Sequence, residues 1–456
     1  MDDLSRLGAV DAGKLVARKE LSVVELVSNS INQIDKLDSK LNSFILRLDD
    51  QALKRAQILD AELKNSGPRG PLHGVPIAVK DLCDMQGVPT YAGLPNKMQA
   101  AASVDATIID RLQEAGCVIV GKTQLSEGAL ALHHPEVKRP VNPINSKLWT
   151  GSSSSGSGVS VASYMVPAAI GTDTGGSIRF PALCNGIVGL KPTWGRVSRN
   201  GIFPLSWTLD HVGPLARKVE DTASVLQTIA GRDPLDTTTS LEKVPNYLSD
   251  IKKGIKGLVI GFDEHYSTDG VHQETVDALS GAIQVFSDAG AEIKSYQMPN
   301  TKDANAAWTP ICLSEAFCVH QKTLLQENNN FSDTFKEALE YGKQVTGADY
   351  ARANIERLKF SGELQRIFEV VDLLLVPVTP NEVPTVDEFA KICPDPDGLE
   401  RLIKYTCLYD VAGNPTITLP AGFSKDGIPF AFQLVAPRFG EGMLFNAGEI
   451  WEKQTS

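Results

Sequence analysis

The segment Gly171-Thr172-Asp173-Thr174-Gly175-Gly176-Ser177-Ile178-Arg179-Phe180-Pro181 places a serine directly after two glycines. Glycine reaches backbone angles that other residues avoid, so successive N–H groups can converge on one point and hold an oxyanion. A serine closing such a turn is a candidate nucleophile, although on this segment alone a tight polar turn is the simpler reading. Upstream, Gly151-Ser152-Ser153-Ser154-Ser155-Gly156-Ser157 sets four consecutive serines between apolar flanks. A buried hydroxyl without a partner costs about 1–3 kcal/mol, so such a run points to hydroxyls that satisfy one another.

A serine nucleophile needs a base. Histidine is the usual one, and the chain has seven, at 73, 133, 134, 211, 265, 272 and 320. His211 follows Leu209-Asp210 in a triad-like order, but nothing in the sequence ties it to Ser177, and a structural role is the preferred reading. Lysine serves instead where burial lowers its pKa enough to populate the neutral amine. Lys80 is the candidate, because it closes the apolar run Val75-Pro76-Ile77-Ala78-Val79 and precedes Asp81-Leu82. Most lysines are solvated surface groups, so position alone is a weak argument.

Lys80 in GVPIAVKD, the serine-rich loop and GTDTGGSIRFPA followed by GIVGLKPTWGRVS together resemble the amidase signature family. The likeness extends to Gly121-Lys122-Thr123-Gln124-Leu125-Ser126-Glu127, to Ser206–Arg217, to Leu375–Pro380 and to Asn414–Phe423, spanning about residues 20 to 450. It implies a Ser–cis-Ser–Lys triad. Ser177 would be the nucleophile, Ser153 (24 residues earlier, the family's spacing) the bridging serine, and Lys80 the base. The N–H groups of Thr174, Gly175, Gly176 and Ser177 would hold the oxyanion, with Asp173, Arg179 and Ser154 in support. Two positions depart from the family pattern. Ser152 replaces the glycine before the bridging serine, which leaves Ser152 and Ser154 as rival relays, and Gln124 stands where Asn is usual.

The resemblance implies hydrolysis of amide-type C–N bonds through an acyl-enzyme, with neither metal nor organic cofactor. The substrate would be a small molecule, an amide or a carbamate (urethane), with Trp149, Thr150 and Trp207 as pocket candidates. Two rival readings remain: the A subunit of the glutamyl-tRNA amidotransferase, and a catalytically inactive binding protein on the same fold.

Bulk properties agree with a globular enzyme. The 456 residues are 42% hydrophobic and carry 44 basic against 55 acidic side chains, a net charge of −11. No basic stripe is present, which disfavours nucleic acid and anionic membranes as partners. Seven scattered cysteines without metal-ligand spacing fit a reducing compartment. Met1-Asp2-Asp3 opens no apolar stretch of the signal-peptide kind. The expectation is a cytoplasmic monomer or homodimer.

Several strings are decoys. Gly116 to Thr123 fits GxxxxGK[ST], but its middle residues Cys117-Val118-Ile119-Val120 make a strand rather than an open phosphate turn. Ser240–Lys243 and Ser249–Lys252 fit SxxK without the partner motifs of penicillin-binding enzymes.

The elements that must hold these residues alternate between strand and helix. Ser22-Val23-Val24-Glu25 is a capping-box pattern opening a helix, and Gln51–Lys64 continues helical. Strands are expected at 75–79, 117–120, 257–262, 372–376, 416–420 and 430–435, with helices at 107–115 and 273–289. The whole predicts one α/β domain over 1–456, a mixed sheet covered by helices on both faces. Its parts are N-terminal helices (1–68), a signature core (70–235), a helix-rich cover or lid (300–365) and the C-terminal part of the sheet (370–456).

Overall fold

The computed structural model describes residues 4–95, 101–325 and 330–455. The first three residues, and 326–329 inside the expected cover, lie outside the described residues.

Eleven strands form one mixed sheet: β1 (Phe44–Arg47), β2 (Pro76–Lys80), β3 (Val118–Thr123), β4 (Ala168–Asp173), β5 (Val188–Lys191), β6 (His211–Ala216), β7 (Val259–Phe262), β8 (Glu292–Ser295), β9 (Leu373–Pro377), β10 (Thr416–Phe423) and β11 (Pro429–Val435). They lie in the order β1-β3-β2-β4-β6-β5-β10-β11-β9-β7-β8. β2 pairs in parallel with β3 and β4, and β7 with β8 and β9, while the other pairings are antiparallel. Strands β2, β3 and β4 are buried throughout. This is the pattern for strands covered on both faces, and it explains their near-continuous apolar runs.

Local signals in the sequence decide the surrounding helices. Ser22 caps the helix Val23–Leu41 with the reciprocal Ser22–Glu25 box, and a second helix covers Asp49–Ser66. In the phosphate-loop decoy, Gly121, Lys122 and Thr123 belong to β3 itself. Lys122 Nζ lies 2.7 Å from Asp81 Oδ1, both side chains fully buried, so the lysine is an internal ion-pair partner. The seven cysteines are free thiols. Among the described residues no helix is long and apolar enough to cross a membrane.

The Gly/Ser run is no linker. Ser155–Ala162 forms a fully packed helix leading into β4. Glycine is required where these two elements meet their neighbours: a Cβ on Gly156 would sit 2.3 Å from the Ser43 carbonyl oxygen, and one on Gly171 2.8 Å from Ser154 Oγ.

The expected cover is three helices, Lys302–Leu324, Asp333–Gln344 and Gly347–Ile367. Buried Glu315 ties the first to the core. It accepts from Ser206 Oγ (2.6 Å), the Thr208 amide (2.9 Å), Thr208 Oγ1 (2.8 Å) and Tyr350 Oη (2.7 Å). Ser332, capping the second, donates its amide to buried Glu127 at 2.9 Å.

Candidate active site

Parallel pairing of β2 with β4 brings Lys80, at the end of one strand, beside Thr172 near the end of the other. Lys80 is fully buried, and its Nζ has three hydroxyl neighbours: Ser153 Oγ at 2.7 Å, Thr172 Oγ1 at 2.7 Å and Ser154 Oγ at 3.0 Å. Burial lowers its pKa from 10.5 to about 7, against the opposing pull of the Asp173 and Asp210 charges. No carboxylate touches the amine, so desolvation prevails.

The two rival relays separate on geometry. Ser154 Oγ donates to the Thr172 carbonyl at 3.1 Å and accepts from the Thr172 amide at 3.2 Å, so its proton is committed to the backbone. Ser152 lines the cavity described below and makes no bond to Lys80 among the described residues. Ser153 is the hydroxyl left facing the amine. The Ser152–Ser153 peptide is cis. The loop docks on the Ser177 turn, with the Ser154 amide donating to the Ser177 carbonyl at 3.2 Å.

Ser177 is half-buried and faces the cavity. Its turn is built on Asp173, which accepts from the amides of Gly176 (2.6 Å) and Ile178 (2.9 Å) and from Arg179 Nε (3.0 Å) and Nη2 (2.8 Å). Burial alone would raise the Asp173 pKa, but the Arg179 guanidinium holds it well below the usual carboxylate range. Arg179 also donates to the Thr406 carbonyl at 2.7 Å and to Asp410 Oδ2 at 2.5 Å. Replacing it by Met would strand two buried carboxylates. Arg179→Met is expected to cost about 3–5 kcal/mol, read as a lowered unfolding midpoint.

The expected set of four oxyanion donors needs one correction. The Gly176 N–H is already donated to Asp173, so it is not open to a ligand. The N–H groups of Thr174, Gly175 and Ser177 make no hydrogen bond among the described residues.

The triad-like Asp210-His211 pair does not form a triad. Asp210 accepts from Thr174 Oγ1 (2.7 Å) and from the amides of Leu205 (2.9 Å) and Ser206 (3.0 Å). His211 Nδ1 faces the Leu209 carbonyl at 2.6 Å, and burial holds the ring well below its ordinary pKa. Gln124, the second departure from the family pattern, bonds with its side chain only weakly to the Lys138 carbonyl, at 3.5 Å.

The cavity in front of Ser177 measures about 560 Å³. Its walls are mainly apolar, drawn from Leu130, Leu132, Trp149, Trp308, Phe335 and Phe389. Trp149 stacks on Phe389 with centroids 4.0 Å apart. Glu127, Glu337 and Glu400 also line it, and no Lys, Arg or His does among the described residues. Of the other two pocket candidates, Thr150 is buried outside the lining, its carbonyl accepting from Asn185 Nδ2 at 2.9 Å. Trp207 is 54% exposed and outside the lining as well. Sequence reasoning missed Leu130, Leu132, Phe335 and Phe389, which come from segments far apart in the chain and carry no local motif.

One group among the described residues has metal-ligand types within reach, His272, Glu274 and Glu382. Nδ1 of His272 lies 2.8 Å from Glu274 Oε2 and Nε2 lies 3.3 Å from Glu382 Oε1, so the two ring nitrogens face different carboxylates.

A family model described as Amidase matches residues 25–445. The chain is 36% identical over 463 residues to an amidase of Pseudomonas putida, covering 100% of this chain and 97% of that one. It is 35% identical over 474 residues to the A subunit of the glutamyl-tRNA(Gln) amidotransferase of Pseudomonas syringae pv. tomato (strain ATCC BAA-871 / DC3000), covering 96% and 95%. A solved amidase crystal structure superposes with a TM-score of 0.85 at 30% identity, covering 99% of this chain and all of the other.

Proposed function

The chain belongs to the amidase family, and from that premise we propose that it hydrolyses small-molecule amides or carbamates through an acyl-enzyme on Ser177. The observation that carries this reading is the fully buried Lys80, its pKa lowered by burial to about 7, held 2.7 Å from Ser153 in a loop docked on the Ser177 turn.

A neutral lysine has two N–H donors and one lone pair. Ser154 Oγ, whose proton is committed elsewhere, takes one N–H, and Thr172 Oγ1 takes the other. The lone pair is left for the Ser153 hydroxyl. Ser153 then accepts the Ser177 proton as Ser177 Oγ forms its bond to the substrate carbonyl carbon. The carbonyl oxygen, now negative, is held by open backbone N–H groups of the turn. When the C–N bond breaks, the proton returns through Ser153 to the leaving nitrogen. Water, deprotonated along the same route, releases the acyl group.

The apolar walls support an uncharged acyl or aryl group, and among the described residues no cation lines the cavity, which disfavours a substrate carboxylate. That counts against the glutaminase reading, since free glutamine brings a carboxylate that would be desolvated without a partner. The chain then acts on its own, as a cytoplasmic monomer or homodimer.

A panel of acetamide, an aryl anilide, an aryl carbamate and glutamine tests this with the purified chain. The aryl amide or carbamate is expected to exceed acetamide in kcat/KM by at least about tenfold, the transfer free energy of a few buried carbons. Acetamide or glutamine as the best substrate overturns the assignment.

A further inference from the structure

Three successive peptide planes of the Ser177 turn are each fixed by a hydrogen bond to the carbonyl. Thr174 O accepts from Trp308 Nε1 at 2.7 Å, Gly175 O from Thr406 Oγ1 at 2.7 Å, and Gly176 O from the Phe180 amide at 2.8 Å. These peptides are trans, so each N–H points opposite to its carbonyl. Holding the Thr174 carbonyl toward Trp308 therefore directs the Gly175 N–H away from it. The Gly176 bond fixes the Ser177 N–H likewise. The Thr406 bond turns the Gly176 N–H to Asp173, where it is found.

Two of these donors come from distant parts of the chain. Trp308 sits in the cover helix Lys302–Leu324, and Thr406 lies beyond β9. The turn is shaped to receive them. A Cβ on Gly175 would lie 2.8 Å from Trp308 Cζ2, and one on Gly176 3.0 Å from Thr406 Oγ1. Thr406 is itself held, because its carbonyl accepts from Arg179.

We propose that Trp308 and Thr406 are positioning residues: Trp308 aims the Gly175 N–H at the developing oxyanion by anchoring the Thr174 carbonyl, and Thr406 locks the next peptide with its N–H on Asp173, which keeps the Gly175 and Ser177 N–H groups on either side of it in place. Seating of the cover helix and completion of the oxyanion site thereby become one event. The inference deepens the hydrolase reading and rests on it.

The test compares wild type, Trp308→Phe, Thr406→Val and Thr406→Ser, using the best substrate of the panel. Two inhibitors accompany it: an aryl boronic acid, which forms a tetrahedral adduct on serine, and a reduced anilide whose carbonyl is replaced by CH2, which fills the cavity without an electrophilic carbon. Trp308→Phe keeps an aromatic ring in the wall and removes the indole N–H together with part of the bicyclic ring, a packing loss that the unreactive inhibitor reads separately. It should lower kcat by roughly 10- to 100-fold, part of what a whole oxyanion donor supplies, with KM within about threefold. Boronate affinity should fall by a similar factor while the anilide binds as before. Thr406→Val should behave likewise, and Thr406→Ser should approach wild type.

Unchanged kcat in both Trp308→Phe and Thr406→Val overturns the proposal. So does an equal loss of boronate and anilide affinity, or a Thr406→Ser as impaired as Thr406→Val, since either marks a packing role. A wild type that neither turns over the panel nor binds the boronate fails the hydrolase reading itself, and the inference falls with it.

Discussion

Ser177→Ala should retain the fold and lose turnover by about 10⁴- to 10⁶-fold, the range set by removing a nucleophile from a serine hydrolase. Among the described residues the Ser177 hydroxyl makes no hydrogen bond that holds the fold. The side chain faces the cavity, while the contacts that hold the turn run through its backbone and through Asp173. The melting midpoint should therefore stay near that of wild type while product formation falls to background. Removing the relay hydroxyl in Ser153→Ala would leave a nucleophile without a proton path, and its residual rate should lie between the two.

The second large effect belongs to Lys80. Its amine must be neutral to accept a proton, and burial sets its pKa near 7. Below that value the protonated amine has no lone pair, so log kcat/KM should rise with unit slope and level off above about pH 7. Lys80→Ala should lower kcat by about 100- to 10,000-fold, the usual contribution of a general base, and flatten the acid limb. Lys191 offers a control, because burial lowers its pKa to about 7 as well, yet its Nζ bonds to the Asn414 and Pro192 carbonyls. If the limb vanished in Lys191→Met and persisted in a partly active Lys80 variant, the assignment of the base would be wrong. Stability carries the same signature. An unfolded lysine holds its proton up to about 10.5, whereas folded Lys80 releases it near 7. Between these values the unfolded chain binds more protons, so this group makes stability rise with pH.

Much of this is legible in the sequence. The apolar run ending in Lys80 forms β2 with the lysine at its end, and the serine run forms a buried loop and helix. The strand follows from local patterning, since a buried parallel strand marks its own sequence, whereas the helix Ser155–Ala162, whose N-cap Ser154 makes no side-chain cap bond, has no such signal. The short edge strand β8, Glu-Ile-Lys-Ser, has no such signal, being largely exposed and polar. β6 is equally hidden, because Pro214 within it argues against a central strand.

The site divides in the same way. Residues that sit in a recognisable local motif, such as Lys80, Ser153 and Ser177, are proposed from the sequence, and residues that reach the site only through packing, without a motif of their own, are not. Asp410 reaches Arg179 across 231 positions, and Thr406 reaches Gly175 across an equal span. Neither has a neighbourhood that suggests chemistry. Tryptophan content suggests an apolar pocket, but identity alone does not tell Trp149, which lines it, from exposed Trp207. The Gly-Gly-Ser turn suggests four converging N–H groups. Only the placement of the Asp173 carboxylate removes Gly176 from that set.

The central claim is covalent chemistry at Ser177, and the most direct measurement of it is the mass of the enzyme during turnover. The purified chain is mixed with an aryl carbamate, quenched in acid within the first turnovers, and weighed intact and after proteolysis. The account predicts a gain equal to the alkoxy- or aryloxycarbonyl group left when the carbamate C–N bond breaks, located on the peptide that contains Ser177 and lacking in Ser177→Ala. Product release with no adduct on that peptide, or an adduct on another residue that survives in Ser177→Ala, would contradict it.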